Sequence, residues 1–410
     1  MCKNKKLKES LQSLTQSAYS LFDSELRLVG YPNDLSYKIA LYKIEPKITA
    51  ITGFDVCVEL MAQDEKIKAL QGQLVGTSIG SSIVRDEKTC ILSFLQQTYL
   101  ESRNYDQVMF DEKYLSFEDF FYSDNLAFKD TANLFNFSFD YSELALGHGV
   151  IIKKDVKPIN QEEVYLERKY RPHLISSESP YLIERKYERK KIIGENTDKD
   201  EAKIFLELSE TGDLFDLVIN SLRVLKASGV YRDHRIKTEN ITFHPLGETI
   251  IRSPIFENTV SGEKCNIVSS DAIVLRHTFD FLCSENNSRF KVALRRLSLG
   301  IERKNPEDKL LDYMIGLETL YMPDGNAELS FRLSIRVAFL LSPPPNRKDT
   351  FDFLKKMYNV RSKIVHGSEY DLKADDVSKL EELLRKSVIL WIKNKNSFSG
   401  DELNMALFEV

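Results

Sequence analysis

The chain has 410 residues, 42% hydrophobic and 29% charged, with a formal net charge of -5. These values exclude a disordered or fibrous chain, and the length exceeds one ordinary hydrophobic core, so two or three domains are expected. An acidic total argues against nonspecific coating of nucleic acid, and no apolar run reaches the length of a bilayer span.

In chain order the first expectation is a helix over KLKESLQSLTQSAYSLFDSELR. Basic residues precede it, but no apolar core of a signal peptide follows them, so a soluble cytoplasmic protein without membrane partners is expected. Strand-like pieces follow, among them GSSIVRDEKTCILSFLQQ, with Gly, Asn and Asp punctuation, and residues 1–155 read as a mixed, β-rich domain. A middle α/β region, 156–285, carries the near-repeats YLERKY (165–170) and YLIERKY (181–187), which suit two paired strands. Its basic stretch ERKYERKK (184–191) interleaves Tyr187 with cations, yet GENTDKDEAK follows at once, so a solvated strand end and a loop are the plainer reading. A helix over DLFDLVINSLRVLKASG and a short strand pair around ITFHPLGETIIRSP complete the region.

Residues 286–396 read as a helical bundle, followed by a tail over 397–410. RFKVALRRLSLGIER is one helix. In NPEDKLLDYMIGLETLYM, Asn305 is placed to cap and Pro306 fits the first helical position. AELSFRLSIRVAFLLS is stopped by Pro343, Pro344 and Pro345; a fourth helix runs from about Asp349 to His366 and ends at Gly367. In ADDVSKLEELLRKSVILWIK, Val377, Leu380, Leu384, Val388 and Trp391 make one stripe. The fold class expected is therefore α+β, a β-rich mixed N-terminal region followed by a C-terminal α-helical bundle.

No familiar enzyme signature stands in the chain: there is no GxSxG, P-loop or GxGxxG after a strand, and GTSIGSS (76–82) is only a glycine-containing turn. Cys2, Cys57, Cys90, Cys265 and Cys283 are odd in number and far apart, which fits reduced thiols and core filler. His148, His173, His234, His244 and His277 have no ligand-spaced partner, so neither a metal site nor a cofactor site is expected. Charge is uneven: residues 287–395 hold 21 Lys and Arg against 15 Asp and Glu, a surplus suited to a polyanion or to simply solvated helix faces.

Within the bundle, Glu318 interrupts the stripe Leu311, Ile315, Met322, and Arg336 interrupts Leu329, Leu333, Leu340, so the two are expected to pair. That pair serves either packing or a neighbouring site. On the fourth helix Asn359, Ser362 and His366 form a polar line with Arg361 beside it; the helix C-terminus favours an imidazolium there, and these groups suit a phosphodiester. A histidine capping its own helix end is the bland alternative.

DKLLDYMIGLETLY, then ELSFRLSIRVAFLL, then YNVRSKIVHG resemble the HEPN superfamily, specifically the Apea-like HEPN domains, over about residues 286–396. The motif is Arg-x4-His, Arg361 and His366 here, with Ser362 where many members carry Asn, Asp or His. The resemblance implies a metal-independent endoribonuclease acting at a homodimer interface, with RNA as partner, Arg361 and His366 catalytic, and Ser362, Asn359, Glu318 and Arg336 in support. Lys363, Lys355 and Lys356 would then meet the RNA backbone. It further implies products with 2′,3′-cyclic phosphate and 5′-OH ends, and a role in phage defence or toxin-like growth arrest. A non-cleaving HEPN module that binds RNA or nucleotide, or acts as a scaffold, is the alternative.

Overall fold

In a computed structural model the chain is described over residues 2–26, 35–76, 81–84, 86–102, 104–154, 181–191, 193, 197–233, 236–245, 249–252, 260, 262–323 and 328–405. The near-repeat at 165–170, and so its pairing with 181–187, lies outside these residues, as do His173, His234 and the middle of GTSIGSS. The fold is α+β. It divides into two compact units made of interleaved segments: 1–131, 185–211 and 235–253 form the first, and 132–184, 212–234 and 254–410 the second.

The first unit is mostly helical, which corrects the expectation of a β-rich start. Helices α1 (Lys5–Leu26), α2 (Leu35–Thr49), α3 (Phe54–Ala62) and α4 (Glu65–Leu70) precede the short antiparallel pair β1 (Leu74–Gly76) and β2 (Ser81–Ile83); α5 (Glu87–Glu101) and α6 (Gln107–Tyr122) follow. α1 forms as expected, burying Leu7, Leu11, Leu14, Ala18 and Phe22 at helical spacing. Among the described residues of GSSIVRDEKTCILSFLQQ only Ser81–Ile83 are strand. Asp86 caps α5 by accepting from the Thr89 N–H, and Cys90, Ile91, Phe94, Leu95 and Thr98 then fall on one buried side. Aromatic and β-branched residues have modest helix propensity, and here burial overrides it: Phe94, Phe110, Phe117, Phe120 and Phe243 join one aromatic cluster.

Strand β3 (Asn125–Phe135) begins in this unit, where Phe128–Thr131 pair antiparallel with β9 (Ile236–Asn240), itself antiparallel to β10 (Thr249–Arg252). The expected strand pair near ITFHPLGETIIRSP is thus present, its first strand lying just upstream. In the second unit are β4 (Phe137–Phe139), β5 (Glu143–Gly147) and β6 (Val150–Lys154); β5 and β6 pair antiparallel with a bulge at Ala145/Gly147. β7 (Tyr181–Lys190) carries YLIERKY and β8 (Tyr231–Arg232) pairs with Leu134 and Phe135, while β11 (Cys265–Ile267) runs parallel to β4. α7 (Thr197–Leu225) contains the helix expected over DLFDLVINSLRVLKASG.

The second unit's core is the bundle: α8 (Asp271–Ser284), α9 (Ser288–Glu302), α10 (Pro306–Tyr321), α11 (Leu329–Leu341), α12 (Arg347–His366), α13 (Ala374–Lys393) and the short α14 (Gly400–Met405). Asn305 caps α10 through its side chain, Pro306 sits in the first turn, and α11 ends before Pro343, all as the spacing predicts. α10 packs against α9, α11, α12 and α13. It approaches α9 so closely that a methyl group on Gly300 would meet Tyr313 Cε1 at 2.1 Å. After α13 the described residues pack back on the bundle, for Phe398 and Leu403 are buried and Phe398 lies against Tyr321 and Trp391. All five cysteines are free; Cys57, Cys90 and Cys265 are buried, and burial pushes their thiols up to about 12, about 12 and about 11.

Candidate functional site

α12 closes with Gly367 at φ 70°, its N–H bonded to the Ile364 carbonyl and the Ser368 N–H to the Lys363 carbonyl. Those two bonds are the Schellman arrangement, which only a left-handed residue at that place permits, and glycine adopts it without cost to a side chain. The helix therefore ends at His366, which is left exposed.

Burial along α12 sorts its side chains. Leu354, Met357 and Val360 are buried and face the bundle, whereas Asn359, Ser362, Lys363, Val365 and His366 are exposed. Arg361 lies between. Its Nη1 is 3.0 Å from Glu318 Oε1 on α10, and its guanidinium sits 5.5 Å from the Tyr358 ring centre. The pairing expected of Glu318 with Arg336 is therefore not the one the chain makes. Arg336 is buried, donating from Nη1 to the Tyr321 carbonyl at 2.7 Å and from Nη2 to Asn404 Oδ1 at 2.6 Å. It closes the C-terminal end of α10 and holds the segment after the bundle. Helical stripes show which charges point inward; they do not show which neighbouring helix meets them.

The Glu318–Arg361 contact is close but poorly aligned. Neither Glu318 Oε1 nor Arg361 Nε has a hydrogen-bond partner among the described residues. Burial pushes the Glu318 carboxyl above its usual range, and Arg361 only partly opposes this. The carboxylate thus anchors a guanidinium whose Nε is buried while the side chain as a whole stays partly exposed.

No protein-family model, curated protein or solved structure matches the chain.

Of the candidate residues, then, Arg361 and Glu318 are brought together, while Arg336 serves elsewhere. Arg361 and His366 share α12 but not a side of it. Five residues advance about 7.5 Å along the axis and about 140° around it, so helix geometry alone does not aim both at one point. Lys356 is engaged by Asp376 at 2.9 Å, Lys355 lies over the Phe351 ring at 5.5 Å, and Lys363 is exposed in the last turn.

Asp312 was passed over in the sequence. It is buried on α10, with Oδ1 2.6 Å from Arg296 Nη1 and Oδ2 3.1 Å from Arg303 Nε, both on or just after α9. Its signal was an acid inside the apolar run LLDYM, the same kind of interruption that marked Glu318. Nearby, the buried Arg223 donates to Glu302 Oε1 at 2.7 Å and to Ser298 Oγ at 2.9 Å. These contacts fix α9 on its neighbours. Among the described residues no cluster of three or more His, Cys, Asp or Glu is placed to hold a metal ion, and no helix is long and apolar enough to cross a membrane.

Proposed function

We propose that the chain is an endoribonuclease of the HEPN kind, with Arg361 and His366 as its catalytic residues. The observation that carries this reading is the α12 tip: a guanidinium anchored by Glu318 with its side chain 27% exposed, five residues before an exposed imidazole. In the reaction, neutral His366 takes the proton of a ribose 2′-OH as that oxygen bonds to phosphorus. The bond from phosphorus to the 5′-oxygen breaks, and an imidazolium protonates the departing oxygen. Arg361 binds the scissile phosphate and the extra negative charge of the transition state. The products are a 2′,3′-cyclic phosphate and a 5′-OH. Asn359 and Ser362, exposed on the same side of α12 as His366 and one to two turns before it, orient phosphate or imidazole.

Because Arg361 and His366 diverge around α12, the reading calls for a homodimer in which the histidine of one copy faces the arginine of the other. In such a cleft the two imidazoles serve as base and acid. The biological setting we propose is phage defence or toxin-like growth arrest in the cytoplasm, with the first unit acting as sensor or restraint.

One observation favours the alternative of a non-cleaving RNA-binding or scaffold module: the charge of Arg361 already faces a carboxylate. Incubation of purified protein with total RNA in EDTA, beside an Arg361→Ala/His366→Ala double variant, separates the two. Cleavage by the wild type alone supports the nuclease. RNA bound but uncut by both supports the binding module.

A further inference from the structure

The side of α12 turned away from the core carries an ordered series. Phe351, Lys355, Tyr358, Ser362 and His366 follow at i, i+4, i+7, i+11 and i+15, which places them within about 80° of one another around the helix. None of the five is buried. Phe331 of α11, 48% exposed, stands edge-on to Phe351 with ring centres 5.6 Å apart. Cations sit over the rings of these two helices: Arg347 at 4.2 Å from the Phe339 centre, Lys355 at 5.5 Å from Phe351 and Arg361 at 5.5 Å from Tyr358.

An aromatic surface merely awaiting an apolar partner would not be interleaved with positive charge. α12 has six basic residues against two acidic ones. The acids are Asp349 and Asp352, and Lys348 already engages Asp352 at 2.9 Å, so Lys355 and Lys363 stand exposed as surplus charge. Flat rings alternating with cations are what single-stranded nucleic acid needs, since every base has a face to stack and every linkage a negative charge to meet. A duplex hides its base faces and offers only its backbone.

We propose that this face of α12, extended by Phe331, is a track for single-stranded RNA that leads the strand along the helix to His366. Phe331, Phe351 and Tyr358 stack bases, while Lys355 holds phosphate between them. The inference rests on the ribonuclease reading for its ligand class, and it adds a substrate form, single-stranded over duplex.

The test measures binding of the full chain to a fluorescein-labelled, fully 2′-O-methylated single-stranded RNA of mixed sequence. That probe cannot be cut, so binding is read independently of catalysis. Its duplex form is the comparison, and variants are checked by melting. Phe331→Ala, at a half-exposed position, is expected to weaken single-strand binding about 5- to 150-fold and to leave duplex binding almost unchanged. Lys355→Ala is expected to lower the slope of log affinity against log salt by about one. Because Lys355 is exposed, this second variant keeps the test open should an aromatic substitution disturb folding. Equal binding by wild type and variants overturns the track. So does equal preference for the duplex, or a Phe331→Ala variant that loses only self-association, which would make this face a contact between copies. Stacking-dependent binding by a protein that cuts nothing would keep the track and reject the nuclease; cleavage with unaltered binding in the variants would do the reverse.

Discussion

Removing Arg361 is expected to destabilise the protein in a way that depends on pH through Glu318. The two side chains are 27% and 19% exposed, between a surface pair and a buried one. Surface pairs contribute about 0.2–1 kcal/mol, and breaking a buried pair costs about 3–5 kcal/mol, so Arg361→Ala is expected to cost about 1–3 kcal/mol at pH 7. Burial already raises the Glu318 carboxyl above its ordinary value of 4.5, and Arg361 is the group that opposes this. Without the guanidinium the carboxyl rises further. A carboxyl raised in the folded state takes up its proton at higher pH than in the unfolded chain. Its favourable contribution is therefore complete below the unfolded value and lost as pH rises through the folded one. The penalty of Arg361→Ala should accordingly shrink from pH 7 to pH 4.5, and Glu318→Gln, which cannot ionise, should remove most of it. Glu318→Gln alone should stay within about 1 kcal/mol of wild type, since it exchanges a poorly aligned charge for an amide of the same shape. The assay is urea unfolding of the four proteins at both pH values, read as a double-mutant cycle. A penalty that is the same at both pH values, or unchanged in the double variant, would refute the reasoning.

Three other outcomes follow from the same structure. Gly300→Ala should lower stability by about 1–2 kcal/mol in denaturant unfolding. The new methyl overpacks the Tyr313 ring, which is held through its hydroxyl by Glu381 at 3.1 Å, and this outweighs the roughly 1 kcal/mol gained in helix propensity. His244 is buried in the first unit, where burial lowers its imidazole from 6.5 to about 4; stability it contributes at neutral pH is lost as pH falls from 6.5 to 4, and His244→Phe should flatten that part of the pH–stability curve relative to wild type. Sedimentation at micromolar concentration should show a two-fold dimer, with a cross-link between cysteines placed at Ser368 confirming that both α12 ends meet; a monomer would count against the shared cleft.

The bundle was legible because its helices announce themselves twice, by a 3.6-residue apolar repeat and by end signals such as Asn305, Pro306, Pro343 and Gly367. The first unit was not, because α5 and α6 are built from Phe, Tyr, Ile and Thr, residues whose local preference leans to strands until an aromatic core forms around them. The interleaving of the two units depends on pairings such as β3 with β9, more than a hundred residues apart, which no local pattern encodes. At the candidate site the inward charges could be read from their stripes, but their partners could not. Glu318 meets Arg361 because α12 packs on the central α10, and Arg336 meets a carbonyl and an asparagine from a segment that looked like a tail.

The central claim is that His366 and Arg361 cut RNA through the ribose 2′-hydroxyl. The most direct measurement incubates the full chain, in EDTA, with a single-stranded RNA of defined sequence and with its all-deoxy counterpart, and maps the product ends. His366→Ala is compared at matched folded fraction; His366 is exposed, so truncation should alter stability by less than ~1 kcal/mol. The account predicts 2′,3′-cyclic phosphate and 5′-OH ends from RNA, an intact deoxy strand, and a loss of at least about a hundredfold in rate for His366→Ala. Uncut RNA, 5′-phosphate ends, cleavage of the deoxy strand, or a His366→Ala variant as active as wild type would contradict it.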